Sequence, residues 1–416
     1  MRPIPGHDPS VAAAERRAAS GDPAGAVALW QAAAEAGGPL IGAPDATGTR
    51  LPVTFLWRGR ADRVVLIGPH DYGDLRRTEL TRFPGTDVWH LTLDLPAGGV
   101  LSYAFSENDH GDVLDPAAEL VSLRGWRPDP LNPRRFRWAA NADGAEPDPL
   151  GHARSALYLP PARPHPATIA RPGVARGQLT MHRMRRRSTG LAHDHRVWVY
   201  RPAGDPGTDR HVAVLLDGDC YVAPMLSTPT ILDNLIADGS IPPTYAIMVA
   251  SVDRLAELNG NRTFLRALTD HLMPWAAGRW PISADPARTI VGGSSLGANC
   301  AAYAALGAPH RFGAVLSQSG AYQAPAPARF PGGPIRQYAG ADGPRLRWHL
   351  TVGSWETDPD TRAGADGSLL DANRRLRDVL VAGDHQLRYS EFAGGHDYLC
   401  WRDALPDALT ALIGAP

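Results

Sequence analysis

Ile290-Val291-Gly292-Gly293-Ser294-Ser295-Leu296-Gly297-Ala298 is the stretch that decides how this chain is read. It sets Gly293, Ser295 and Gly297 in a Gly-x-Ser-x-Gly frame directly after an apolar run. Such a frame predicts a nucleophile elbow: a strand ends, the chain turns sharply, and a helix begins. The nucleophile of that turn holds a strained backbone, so its near neighbours must lack bulk. Ala298, Ala301 and Ala302 then let the new helix lie close to a sheet. In a chain with 43 glycines the frame alone is moderately specific, and its surroundings must carry the rest.

Those surroundings fit. From about residue 178 onward, apolar runs alternate with amphipathic helical patterns. Val212 to Leu216, Tyr245 to Ala250, Thr289 to Val291, Ala314 to Leu316, Trp348 to Val352 and Leu387 to Phe392 read as buried strands. Phe264 to Ala277, Leu296 to Leu306, Leu369 to Leu380 and Ala404 to Leu412 read as helices between and after them. Strand-helix alternation predicts a mostly parallel sheet covered on both faces.

The front half has another texture. Val53 to Trp57, Arg63 to Ile67, Val88 to Leu93 and Leu101 to Phe105 are short, β-branched or aromatic, and separated by Gly, Pro and Asp. That spacing suggests a small β-sandwich. Pro128 to Pro133 cannot be regular structure, and Leu159 to Pro172 reads as a proline-rich connector. The expected organisation is a helical extension over 1–45, a β-sandwich over 46–160, a linker over 161–177 and a catalytic α/β domain over 178–416. A chain of 416 residues makes two domains the default.

Composition narrows the function classes. The formal net charge of −1 gives no electrostatic case for nucleic acid or an anionic membrane. All 42 basic residues are arginine. Three scattered cysteines, Cys220, Cys300 and Cys400, are too few for a disulfide framework and read as small buried hydrophobes. The first residues lack an apolar core of signal-peptide length and no run approaches a membrane span, so a cytoplasmic protein is expected.

A serine hydroxyl needs an adjacent base to act as a nucleophile at neutral pH. In the order nucleophile, acid, histidine, the base belongs on a loop after the last strand. Gly394-Gly395-His396-Asp397 stands there, which makes His396 the expected base. The acid should follow the preceding strand, where Gly353-Ser354-Trp355-Glu356 offers Glu356; Asp358, Asp360, Asp366 and Asp371 crowd the same region and leave the choice open. Asp397 is an immediate neighbour of the base and poorly placed to bond its ring. The oxyanion donors expected are the amide of Leu296, directly after the nucleophile, and the amide of Asp219 in Leu215-Leu216-Asp217-Gly218-Asp219. His193-Asp194-His195 lacks further clustered ligands, so neither a metal nor a cofactor is expected.

The segments Ala213 to Gly218, Val315 to Gly320 and Gly394 to Arg402 resemble the enterochelin (enterobactin) esterase family, as do Asp129-Pro130-Leu131-Asn132-Pro133 and Thr86-Asp87-Val88-Trp89. The likeness runs from about residue 50 to the end. The resemblance implies an N-terminal β-sandwich and an esterase-D-like α/β-hydrolase domain. It also implies hydrolysis of the ester bonds of a catecholate trilactone siderophore, usually iron-loaded, through an acyl-enzyme. Matched by motif, Ser295 is the nucleophile, His396 the base and Glu356 the acid. Arg254, Glu257, Leu258 and Asn261 fit the family's Arg-x-x-Glu-Leu-x-x-Asn stretch, which is shorter here on its N-terminal side. Ser294-Ser295-Leu296-Gly297 stands where the family often has Gln-Ser-Phe-Gly.

A ferric tris-catecholate is a trianion with aromatic faces, which arginines and aromatics would suit. Arg254 is the first candidate contact, with Tyr221, Trp126 and Arg402 behind it. For Trp126 a place in the β-domain core is an equal reading, and for Arg402 a packed helix start. The same machinery would also serve an esterase, peptidase or acyltransferase acting on another depsipeptide or lactone. A binding protein on a decayed hydrolase fold is the non-enzymatic alternative, and the intact elbow argues against it.

Overall fold

The structure, a computed structural model, describes residues 4–5, 8–68, 75–108, 125–137, 153–204, 207–340, 342–359 and 364–414. Asp360, among the acids weighed above, lies outside them. Two compact units emerge: Met1–Pro164 together with Ala393–Cys400, and His165–Phe392 together with Trp401–Pro416.

The first unit begins with helices α1 (Pro9–Ala19) and α2 (Ala24–Ala36). Asp8 caps α1 by accepting from the Ser10 amide at 2.8 Å. Gly37, at φ 73°, ends α2 in the left-handed conformation that a glycine adopts without steric cost. These helices are no loose extension. Val11, Ala14, Ala18, Ala26, Leu29 and Ala33 form one apolar cluster with Leu56, Phe83 and Val88 of the β-rich part. Alanines at helical spacing make a flat face that can approach a sheet closely.

Two antiparallel sheets follow. In one, β1 (Arg50–Arg58) and β3 (Val88–Pro96) pair along their whole lengths, from Arg50 opposite Pro96 to Arg58 opposite Val88. The other has the order β2 (Val64–Ile67), β4 (Val100–Glu107), β6 (Ala153–Tyr158) and β5 (Arg135–Arg137). Phe55 of the first sheet meets Tyr103 of the second edge-on, ring centroids 5.1 Å apart. The irregular Asp129-to-Pro133 segment is a buried polar knot. Tyr103 donates to Asp129 Oδ2 at 2.7 Å, and Asn132 donates to the Tyr103 hydroxyl and the Ala156 carbonyl. Two prolines, Pro130 and Pro133, remove backbone donors there, and side chains supply the bonds instead.

The second unit carries an eight-stranded sheet of order β7 (Gln178–Met184), β8 (His195–Arg201), β10 (Thr244–Val249), β9 (His211–Leu216), β11 (Thr289–Ser294), β12 (Ala314–Gln318), β13 (Arg347–Gly353), β14 (Gln386–Phe392). The six strands expected from their apolar runs are all present and mutually parallel. Two antiparallel strands, β7 and β8, precede them and were not anticipated. β7 is a half-exposed edge strand rich in polar residues, so it lacks the continuous apolar run of a buried one.

Residues 165–177 are not a free linker. Asn234 on α4 (Thr228–Ala237) donates to the Ala167 and Ile169 carbonyls, both at 2.8 Å. Arg171 pairs with Asp238 at 2.8 Å. Proline-rich backbone cannot build a ladder, so a neighbouring helix takes up its carbonyls. Among the described residues no helix is long and apolar enough to cross a membrane.

Candidate active site

β11 ends at Ser294, and helix α6 (Leu296–Gly307) begins at Leu296, leaving Ser295 alone at the turn. Its backbone holds φ 55°, ψ −120°, a conformation that costs a serine of order 1–3 kcal/mol and persists only under external constraint. The constraint is visible. The Ser295 amide donates to the Gln318 carbonyl at 2.9 Å, and the Ser295 carbonyl accepts from Ala321 at 3.0 Å. A Cβ on Gly293 would stand 2.6 Å from the Gly297 carbonyl carbon, and one on Gly297 3.2 Å from Asp217 Oδ2. Gly293 is therefore a steric requirement of the turn, and Gly297 sits tightly against the Asp217 carboxylate. α6 is buried from Leu296 to Ala305, as its run of small residues allows.

The Leu296 amide is the first of that helix and has no carbonyl one turn back to bond. Together with the helix dipole it offers a donor where negative charge can develop. The Asp219 amide stands near the start of the short helix α3 (Gly218–Val222), after Asp217 at φ 58°. Gly218 matters for room rather than flexibility: a Cβ there would lie 2.2 Å from the Met248 carbonyl carbon. Burial, and then the neighbouring Asp217 carboxylate, push the Asp219 carboxyl up to about 6.

Arg254, at the start of α5 (Arg254–Leu258), reaches Asp217 through Nε and Nη2, the latter at 2.7 Å. Ser251 donates to the same carboxylate at 2.8 Å. Asp217 is thus buried and neutralised from outside its own turn, instead of capping it. The Arg254 side chain keeps 40 % of its surface exposed, enough to present a guanidinium edge to an anion. Its helix is anchored by a buried pair: His195 Nε2 and Glu257 Oε1 are 2.9 Å apart, and Glu257 Oε2 accepts from the Val252 amide. His195, once weighed as a metal ligand, serves this pair.

Glu356 lies on the loop after β13 and is 7 % exposed. Its Oε1 accepts from Ser319 Oγ at 2.5 Å and from the Gly353 amide at 2.8 Å. Ser319 Oγ also accepts from Trp401 Nε1 at 3.0 Å, while Gln318 donates to the Trp401 carbonyl at 2.7 Å. Tyr221 donates to Gln318 Oε1 at 2.9 Å. This net of Tyr221, Gln318, Ser319 and Trp401 was missed from the sequence. Its only signal was the polar Ser317-Gln318-Ser319 closing an apolar strand. Tyr221 is fully buried, so its place is in this net and not on open surface. Arg402 sits 3.5 Å from Asp403 at the start of α7 (Tyr398–Ile413).

The first unit holds the two remaining candidates. Trp126 is core, clustered with Val65, Ile67 and Ala104, with the Arg154 guanidinium 5.1 Å from its ring centroid. His396 is exposed on the Gly394–Asp397 loop. That loop is pinned to β4: the Val100 amide donates to Ala393 at 2.9 Å, and Asp397 accepts from the Ser102 amide at 2.6 Å and its hydroxyl at 3.1 Å. The Leu399 amide also donates to Asp397. Asp397 braces the loop that carries His396.

A family profile described as "Putative esterase" matches residues 188–412, and one described as "Enterochelin esterase, N-terminal" matches 52–168. The chain is 30 % identical to the iron(III) enterobactin esterase of Dickeya dadantii, over 94 % of this chain and 93 % of that protein. It is 28 % identical to an iron(III) salmochelin esterase of Escherichia coli, covering 98 % of each. Among solved structures, the enterobactin esterase of Shigella flexneri crystallised in the presence of enterobactin superposes with a TM-score of 0.70 at 29 % identity. That match covers 92 % of this chain and 97 % of that one. The ferric enterobactin esterase of Salmonella typhimurium gives 0.71 at 27 %, covering 90 % and 96 %.

Proposed function

The chain belongs to the enterochelin esterase family and is a carboxylic ester hydrolase, and from that premise we propose that Ser295 opens the ester bonds of a ferric catecholate trilactone siderophore. The observation that carries the mechanism is the strained Ser295 at the head of α6, held by Gln318 and Ala321. Ser295 Oγ attacks the ester carbonyl carbon while His396 takes its proton. The tetrahedral oxyanion draws on the amides of Leu296 and Asp219. Collapse of that intermediate breaks the C–O bond, and His396 returns the proton to the leaving alkoxide. Water then hydrolyses the acyl-enzyme by the same steps in reverse order.

Glu356 is the acid in this reading. It is buried, it follows its strand, and Ser319 and Gly353 fix one of its oxygens, so a carboxylate of set orientation is available to hold an imidazole tautomer. Arg254 supplies a partly exposed cation for the trianionic substrate, and Arg402 a second. Iron is cargo here: hydrolysis weakens its chelation, releasing it in the cytoplasm.

The test is mass spectrometry of a ferric catecholate trilactone incubated with the wild type and with Ser295→Ala. Linear products with the wild type and none with the variant are expected. Intact trilactone with an active wild-type esterase would overturn the substrate, and turnover by Ser295→Ala would overturn the mechanism.

A further inference from the structure

A carboxylate stands at the head of the turn that carries the Asp219 amide, one of the two proposed oxyanion donors. Asp217 holds φ 58°, ψ 47°, its carbonyl accepts from the Cys220 amide at 2.9 Å, and its side chain makes no cap for the helix that follows. Aspartate enters this left-handed region at less cost than most residues, though not freely. The side chain turns toward α6 instead: a Cβ on Gly297 would lie 3.2 Å from Asp217 Oδ2. Gly297 directly follows Leu296, whose amide is the other proposed donor. A carboxylate with only 4 % of its side chain exposed therefore sits against the first turn of that helix.

This placement sets two negative charges in competition. The positive end of a helix favours an anion at its first turn, so a carboxylate lodged there takes up field that a developing oxyanion would use. A buried site also screens their mutual repulsion poorly. The influence of the carboxylate reaches both sides: burial, and then Asp217, push up the Asp219 carboxyl and the Cys300 thiol one turn into α6.

Arg254 meets this charge. It donates through Nε to Oδ1 and Oδ2 at 2.9 and 3.0 Å, and through Nη2 to Oδ2 at 2.7 Å, while Ser251 donates to Oδ1 at 2.8 Å. A planar two-point pair fixes orientation as well as charge. Its platform is firm. Asp253 caps α5 by accepting from the Ala256 amide, and the buried Glu257 joins His195 to the Val252 amide.

We propose that Arg254 is a positioning residue for catalysis: through Asp217 it holds the Asp217–Asp219 turn in place and cancels a charge that opposes the oxyanion at the Leu296 and Asp219 amides. This rests on the serine mechanism proposed above and gives Arg254 a task independent of the charge on the substrate. A residue that only gripped a trianion would matter little to a small neutral ester.

Steady-state hydrolysis of p-nitrophenyl acetate, which carries no charge, tests this in the full-length protein. Rates are referred to sites titrated with a fluorophosphonate, so a variant that partly unfolds loses sites and not kcat. Arg254→Gln is expected to lower kcat roughly 10- to 100-fold with KM within about twofold of wild type, less than the roughly 10²–10³ that deleting an oxyanion donor costs. Asp217→Asn removes the charge while asparagine keeps the left-handed turn. Added to Arg254→Gln, it should return kcat to within about threefold of Asp217→Asn alone. Wild-type kcat in Arg254→Gln would overturn the proposal and leave the residue a substrate contact at most. A low kcat that Asp217→Asn does not restore would also overturn it, since the defect would then not lie in the uncancelled carboxylate. Ser295→Ala separates the two readings. If it still turns over, the serine mechanism has failed and the positioning role with it; an inactive Ser295→Ala beside a fully active Arg254→Gln fails the positioning role alone.

Discussion

Ser295 is the only residue between a buried strand and a buried helix, and its positive φ is imposed by bonds on both sides. Ser295→Ala should lower p-nitrophenyl ester hydrolysis by about 10³-fold or more while leaving the thermal midpoint nearly unchanged, since the strain lies in the backbone. Gly218→Ala is a different kind of change. Its new methyl would meet the Met248 backbone, and urea titration should show a loss of about 3 kcal/mol. Asp219 gives a pH signature. Its carboxyl titrates near 6 in the folded protein against 3.8 for the free group. Between those values the unfolded chain releases its proton first, so this residue's contribution to stability falls as pH rises from 4 to 6.5. Asp219→Asn should therefore gain on the wild type by about 2 kcal/mol over that window, read as diverging urea midpoints. Equal midpoints at pH 4.5 and pH 7 would contradict this. The frame around Ser295 was legible because steric rules act between sequence neighbours. The purpose of Gly218 was not, because the atom it avoids lies thirty residues away on another strand.

At the level of elements, the parallel strands were legible because both faces are covered and their apolar runs are continuous. β7 and β8 escaped because an edge strand needs no such run, and because His195 and Arg196 open β8 with polar side chains that find partners elsewhere. The expected linker at 161–177 was misread for a related reason: proline content marks a lack of ladder bonds, and says nothing of carbonyls taken up by Asn234. The loop after β14 is legible from its glycines, yet the part played by Asp397 depends on a strand nearly three hundred residues earlier. Asp397→Ala would leave the buried Ser102 amide without its acceptor and cost about 1–3 kcal/mol. Hydrogen exchange should then rise across residues 393–400, and esterase activity should fall if His396 is the base proposed above. If exchange there stays at the wild-type level, Asp397 is not the brace.

For the whole molecule, the α/β-hydrolase half and the β-rich half were both foreseen, and the helices before residue 45 were misjudged as peripheral. Their alanines gave no hint of a partner, because a small-residue face becomes informative only against a known neighbour. Deleting residues 1–37 should uncover Leu56, Phe83 and Val88, lower the melting temperature of the first unit and promote association seen by size-exclusion chromatography. An unchanged elution volume and melt would show the helices to be dispensable. The loop Ala393–Cys400 bears on how such a chain is made. Although the first unit is mostly residues 1–164, one of its pieces, residues 393–400, is encoded only after the whole of residues 165–392. During translation that unit waits for the ribosome to reach Cys400, so Ser102 and Val100 stand without Asp397 and Ala393 until then. A nascent chain stalled after residue 307 and before His396 would carry a finished elbow serine and lack the base proposed for it.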